Sequence, residues 1–369
     1  MTEKQRVKQC LAFREPAGPG DGTPGRKAPQ HTVPWHTVPW QIGYTSQIGD
    51  ILMEALGLPE ERRVVLGKNV YRYNRLEEYL GNHLAFLRNR AVDSVREVGP
   101  GLFEDEWGVV WDRSVDRDIG TPVNRVLEHM DLEGLQAPDP DDERRYAHFG
   151  PLIEVNARRY VLVKFSYSLF ERAWSLRGME NLMTDFVLNP GFVQELFEII
   201  TRFNLALLDN LSAYPVDGVY FGDDWGYQRS LLMHPDTWRA FIKPCLRRMY
   251  ERAHSLGCDV FIHSCGNITA VLDDLIGIGV NVFNPFQPEV MDIEQVISRY
   301  AGRLAFYGGL SIQHTLPFGT AEAVRAEVEH RLGLAGRFGG YIVSPSHDMP
   351  PDVPVKNVVE MRNLLHAQE

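Results

Sequence analysis

Short apolar runs alternate with longer amphipathic stretches through most of the chain. Val161 to Ser166 (VLVKFS), Gly218 to Gly222 (GVYFG), Asp259 to Ser264 (DVFIHS), Val280 to Asn284 (VNVFN), Arg303 to Tyr307 (RLAFY) and Tyr341 to Ser344 (YIVS) read as strands. Between them, PGFVQELFEIITRFNLALLDNL and PDTWRAFIKPCLRRMYERAHSLG have helical character, the second closed by Gly257. Strand followed by helix, repeated, builds a parallel sheet, and over this length it predicts a single (β/α)8 TIM barrel in the α/β class. An open doubly wound sheet is the alternative. The chain starts differently: after a short helical segment, residues 14–30 (REPAGPGDGTPGRKAPQ) predict an exposed, flexible loop. The tandem HTVPWHTVPW at 31–40 is too short for an architectural repeat. It reads as a local duplication that lengthens a loop, or else as an aromatic cover over a pocket. The expected division is therefore 1–30, helical start and loop, and 31–369, barrel.

Composition narrows the partners. The 369 residues, 44% of them hydrophobic, can bury a large core. Lysine and arginine total 38 against 49 acids, a formal charge of -11, which argues against a broad grip on nucleic acid or an anionic membrane and favours small or electropositive partners. No apolar run approaches the roughly 20 residues of a membrane span. MTEKQRVKQCLAF lacks the apolar core of a signal peptide, so a cytoplasmic protein is expected. Cys10, Cys245, Cys258 and Cys265 are too scattered for a disulfide framework. Cys245 and Cys258 fall in or beside a helical stretch as small buried hydrophobes, whereas Cys265 has chemistry around it. No G-x-G-x-x-G follows a strand, no Walker-type loop occurs, and Gly308-Gly309 reads as a tight turn.

In a parallel barrel, chemistry collects at the carboxyl ends of the strands. Those ends are polar here: Asp223-Asp224-Trp225-Gly226, His263-Ser264-Cys265-Gly266-Asn267, Pro285 with Gln287, and Ser346-His347-Asp348. His263 and Cys265, two apart on extended chain, can face the mouth together. One imidazole and one thiolate suit zinc, which in catalytic sites takes three protein ligands and an exchangeable fourth. His347, after the last strand, is the best third ligand; Glu171, Asp223 and Asp224 are alternatives as third or fourth. The opposing reading makes His263 a hydrogen-bonded core histidine, Cys265 a small buried residue, and the two aspartates caps for a helix beginning near Pro235 or acceptors for loop backbone. Adjacent aspartates on extended chain point opposite ways, so one of them is expected to face the pocket.

The segments GDDWGYQRSLLMHPDTWRAFIKP, HSCGNI, NPFQPEVMDI, FYGGLSIQHTLPFGTAEAV and GGYIVSPSHDMPPDVPVKNVVEM resemble the uroporphyrinogen decarboxylase superfamily. The resemblance is closest to its methyltransferase-like branch, which includes zinc-dependent methylcobamide:coenzyme M methyltransferases and corrinoid-linked O-demethylases. It runs from about Val161 to Met361, with DEWGVVWDRS extending it upstream. It implies a single barrel, often dimeric, with zinc held by an H-x-C pair and a later cysteine. His263 and Cys265 match the pair, and His347 stands where that cysteine is expected. Two imidazoles and one thiolate leave zinc with a net charge of about +1, more electrophilic than a two-thiolate site.

The activity implied is methyl transfer from a small methylated, possibly methoxylated, donor to a corrinoid (cobalamin) carried by a partner protein. Asp224 or Glu171 would complete the coordination or protonate the leaving group, and Tyr167, Trp225 and Gln287 would shape the pocket. Asn267 would fix the turn after Cys265, and Asp348 would orient His347. The alternatives are a decarboxylase acting on porphyrinogens, or a metal-bearing barrel that binds a small ligand without catalysis. Family decarboxylases hold substrate carboxylates with an arginine-rich motif near the amino terminus; the corresponding PWQIGYTSQIGD has no arginine. No D-x-H-x-x-G corrinoid-binding segment occurs either, so the corrinoid would arrive on another protein or free.

Overall fold

The computed structural model describes residues 1–12, 38–59, 62–66, 69–73, 75–90 and 94–368. One curled sheet holds seven parallel strands: β1 (Leu84–Arg88), β2 (Tyr160–Phe165), β3 (Gly218–Gly222), β4 (Asp259–His263), β5 (Val282–Phe286), β6 (Ala305–Leu310) and β7 (Tyr341–Pro345). Each strand is hydrogen-bonded to the next in chain order, with helices between them as a right-handed parallel sheet requires. The stretch around Trp40 joins the two edges. Gln41 N–H donates to the Val343 carbonyl and Val343 N–H to that of Pro39, both at 3.0 Å. On the other side, His83 N–H donates to the Trp40 carbonyl at 3.2 Å and Leu84 N–H to Gln41 Oε1 at 3.0 Å. The ring is thus a TIM-type barrel with a short, irregular eighth position.

Several expectations shift. β3 has the expected bounds, β5 and β6 lie two residues later than their apolar runs begin, and β1 had no counterpart. Gly308 and Gly309 lie inside β6, not in a tight turn, with φ of 134° and 100°. A Cβ on Gly308 would stand 2.7 Å from the Phe286 backbone nitrogen, so the approach of β5 to β6 requires glycine there. The loop at 14–30 and residues 31–37 of the tandem lie outside the described residues. Val38 to Trp40, the end of the second copy, do not lengthen a loop: they are buried and help close the barrel.

The barrel interior is filled from below. Helix α1 (Glu3–Ala12) sets Val7, Cys10 and Leu11 against Leu84, Tyr160, Leu162, Tyr220, Phe261, Val282, Ala305, Tyr307 and Ile342, which point inward from the strands. Side chains two apart share a face. The next inward positions toward the carboxyl ends are therefore Arg88, Lys164, His263 and Asn284, and the barrel turns polar at its mouth. Between β1 and β2 a four-stranded antiparallel sheet spans 96–122. Asp105 in it holds Arg172 of helix α2 (Phe170–Arg177) in a buried ion pair at 2.7 Å. All four cysteines are free, and among the described residues no helix is long and apolar enough to cross a membrane.

Candidate metal centre

His263 ends β4, Cys265 follows two residues on, and His347 lies two residues past the end of β7. One donor atom from each lies within 4.8 Å of the others. His263 Nε2 stands 3.5 Å from Cys265 Sγ, and the two imidazoles meet edge to face with centroids 5.2 Å apart. The orientation of His263 comes from below. Asn284 donates its amide to the Tyr307 carbonyl at 2.9 Å, which turns Oδ1 toward the imidazole. His263 Nδ1 then donates to that oxygen at 2.6 Å, and the Tyr220 hydroxyl donates to it at 2.5 Å. With the proton fixed on Nδ1, the Nε2 lone pair is the one available beside Cys265.

Burial pushes the His263 pKa down to about 4, against a smaller upward pull from Asp224, and keeps the ring neutral. Burial, reinforced by Asp224 and Glu171, pushes the Cys265 thiol far above its ordinary value. Such a thiol ionises only if a cation joins it. A neutral imidazole with its lone pair free, a second imidazole and a thiol awaiting a positive charge fit zinc as a donor set.

The loop carrying Cys265 is pinned to its neighbours. Cys265 N–H donates to Asp224 Oδ1 at 2.8 Å and Gly266 N–H to Gln287 Oε1 at 2.7 Å. Gly266 has φ 81°, and a Cβ there would stand 2.5 Å from the Tyr227 nitrogen, so this loop and the one after β3 pack backbone to backbone. Asn267 accepts from Thr269 N–H at 3.1 Å and donates to the Val290 carbonyl at 3.0 Å, closing the turn.

The acids divide. Asp224 Oδ1 lies 3.8 Å from His263 Nε2, at the edge of the cluster. Glu171, in the first turn of α2, has its carboxyl pushed well up by burial, then by Asp224 and Asp223. Asp223 accepts the N–H groups of Leu169, Phe170 and Glu171 at 3.3, 3.0 and 2.7 Å and the Trp225 indole N–H at 2.6 Å. It thus caps α2, not the helix at Pro235, where the His234 side chain takes that role. Trp225 is buried against Trp238. Tyr167, at φ 54°, packs on Trp111 with ring centroids 5.0 Å apart.

Of the residues singled out from sequence, His263, Cys265 and His347 come together, with Asp224 at their edge and Glu171 acting on Cys265. Gln287, Asn267, Asp223 and Trp225 are built into the frame around them. Sequence reasoning missed Tyr220, Asn284, Arg88 and Lys164; for Tyr220, Asn284 and Lys164 the signal was strand alternation, which puts a polar residue on the inward face of an apolar run.

Fold and site together define a parallel barrel with a nitrogen-and-sulfur cluster at its mouth. The uroporphyrinogen decarboxylase (URO-D) family model matches residues 115–368, more than half of the chain, and the chain belongs to this family of enzymes. A uroporphyrinogen decarboxylase of Anaeromyxobacter dehalogenans (strain 2CP-C) is 24% identical over 260 residues, 68% of this chain and 70% of that protein. A methylcobamide:CoM methyltransferase of Methanosarcina barkeri is 25% identical over 127 residues, 34% of this chain and 35% of that protein. Among solved structures, a methyltransferase from Methanosarcina mazei superposes with a TM-score of 0.69 at 16% identity, over 100% of this chain and 99% of that one.

Proposed function

We propose that the protein is a zinc-dependent methyltransferase that moves a methyl group from a small methylated donor, such as a methoxylated compound, to a corrinoid supplied by a partner protein. The observation that carries this reading is the convergence of His263, Cys265 and His347 at the barrel mouth. These three residues would hold zinc, which when bound supplies Lewis acidity toward the heteroatom that gives up its methyl group. The likeness to the Methanosarcina barkeri methyltransferase supports the choice of reaction.

The chain's own groups have distinct tasks. Asn284 and Tyr220 hold His263 in the tautomer that leaves Nε2 unprotonated. Glu171, raised above the usual carboxyl range, retains a proton it can deliver to the departing heteroatom. Asp224 fixes the Cys265 backbone and places its carboxyl beside the cluster. Porphyrinogen decarboxylation is the second reading, favoured by the longer match to the Anaeromyxobacter dehalogenans relative; it leaves the clustered thiol and imidazoles without a task.

The test is metal analysis followed by methyl transfer. The purified protein is expected to carry stoichiometric zinc, the His263→Ala/Cys265→Ala double variant none, and only the former to methylate cob(I)alamin from a panel of methoxylated compounds. A wild-type protein without stoichiometric zinc refutes the proposal.

A further inference from the structure

Three basic side chains gather at the mouth beside the cluster. Arg88 and Lys164 are directly paired positions on adjacent strands, both on the inward face, one layer above Phe86 and Leu162. Arg90 follows two residues after Arg88 and, like it, acts electrostatically on Lys164. Among the described residues none of the three makes an ion pair or a side-chain hydrogen bond. Lys164 Nζ stands 5.4 Å over the Tyr220 ring, whose hydroxyl lies 2.8 Å from His263 Nδ1, so one tyrosine separates this ammonium from the metal cluster.

Such an arrangement is unfavourable by itself. Burial lowers the pKa of both Lys164 and Arg90, and the neighbouring cations lower them further. The acids within electrostatic reach of Lys164 are Asp348 and Glu171, and Glu171 is itself driven toward its neutral form. Lys164 and Arg90 are thus desolvated without an ion-pair partner among the described residues, while Arg88 at the end of β1 stays exposed at the mouth, in a chain whose formal charge is -11. A ligand that brings negative charge supplies that partner.

Resting on the methyl-transfer reading for what happens at the cluster, we propose that Arg88 and Lys164, with Arg90, bind the anionic group of a carboxylate-bearing methyl donor whose methylated end reaches His263, Cys265 and His347. Arginine presents a planar fork to a carboxylate and the lysine a point charge, so the two together select for charge at a fixed place in the mouth. The contribution of such charge-assisted contacts corresponds to about ten- to hundredfold in affinity.

The experiment is calorimetric binding to the metal-free full chain, with no corrinoid present, using two charged and neutral pairs: methoxyacetate against 2-methoxyethanol, and 4-methoxybenzoate against 4-methoxybenzyl alcohol. In at least one pair the carboxylate is expected to bind tenfold or more tightly, and Arg88→Met and Lys164→Met are each expected to erase that preference. Thermal unfolding is the second readout: Lys164→Met, which removes an unpaired charge, is expected to melt no lower than wild type, and the carboxylate to raise the melting temperature of wild type alone. Inorganic phosphate that displaces the carboxylate from wild type supports a shared anion site; phosphate binding with both carboxylates excluded overturns the proposal. So does the lack of a charge preference in both pairs, or a preference that survives both substitutions. Because binding is read without metal or methyl transfer, a charge preference in a protein that transfers no methyl group refutes the methyltransferase reading alone.

Discussion

Asn284 is the residue on which the orientation of His263 depends, and Asn284→Leu tests that dependence at nearly constant volume. Its Oδ1 receives two buried donors, His263 Nδ1–H at 2.6 Å and the Tyr220 hydroxyl at 2.5 Å. Leucine leaves only the 2.8 Å contact between the Tyr220 hydroxyl and His263 Nδ1, so one of the two donors loses its acceptor, at about 1–3 kcal/mol. It also removes the bond that keeps the proton off Nε2, so part of the population would carry its proton where a metal must bind. Loss of such a supporting contact lowers metal affinity about ten- to hundredfold, or about 1.4–2.8 kcal/mol. Zinc titration of the metal-free protein against a chromophoric chelator reads the affinity, and urea unfolding of the same samples reads the stability. Asn284→Asp accepts both donors and is expected to bind zinc at least as tightly as wild type. Zinc affinity unchanged in Asn284→Leu, with stability reduced, would refute the tautomer argument and leave Asn284 as a packing residue.

Three other outcomes follow from the geometry. Asp223→Ala removes the acceptor shared by the Leu169, Phe170 and Glu171 N–H groups and is expected to destabilise the fold by about 2–4 kcal/mol in urea unfolding, whether or not zinc is present. Gly266→Ala forces a Cβ onto the Tyr227 and Gly226 backbone at a positive φ; zinc affinity is expected to fall at least tenfold, and a wild-type titration would show that the two loops can part. Burial, aided by Arg6, His366 and Arg159, pushes the His83 pKa from 6.5 to about 3, so the unfolded chain takes up this proton first as pH falls. The stability is complete above pH 6.5 and is lost between there and pH 3, about 2 kcal/mol of it by pH 5; His83→Asn is expected to reduce that loss by about the same amount in urea unfolding.

The sequence made the barrel legible because its central strands are buried on both faces and therefore read as unbroken apolar runs. LAFLR was harder: it is short, ends in the basic Arg88 and has a mixed stretch behind it, so nothing in its pattern separates β1 from a loop. Boundaries of β5 and β6 drifted because Pro285 and Gly308-Gly309 carry signals for turns, while the close packing of neighbouring strands holds them in the sheet. At the site, H-x-C spacing and strand-end position pointed to His263, Cys265 and His347 without any contact information, and the fold brings the three together. The same reasoning could not separate Asp223 from Asp224. Their difference lies in which side meets the first turn of α2, and that is set by the chain more than fifty residues earlier.

The position of His347 shows how far a donor can depend on distant sequence. Val343 of β7 exchanges backbone hydrogen bonds with Pro39 and Gln41, and past the end of the strand Tyr44 pairs in parallel with Met349. Thr45 N–H donates to the Met349 carbonyl and Met349 N–H to that of Gly43, at 3.1 and 3.0 Å. A Cβ on Gly43 would collide with the Asp348 carboxylate, so the chain beside His347 is clamped on both sides by residues 39–45. That stretch is held in turn by His83, whose Nδ1 accepts the Trp40 N–H at 3.2 Å and whose ring lies against the indole. Closure of the barrel and placement of the third donor are therefore one structural event. Protonating His83 loosens both together, and the second VPW of the tandem becomes the support on which the cluster of His263, Cys265 and His347 is completed.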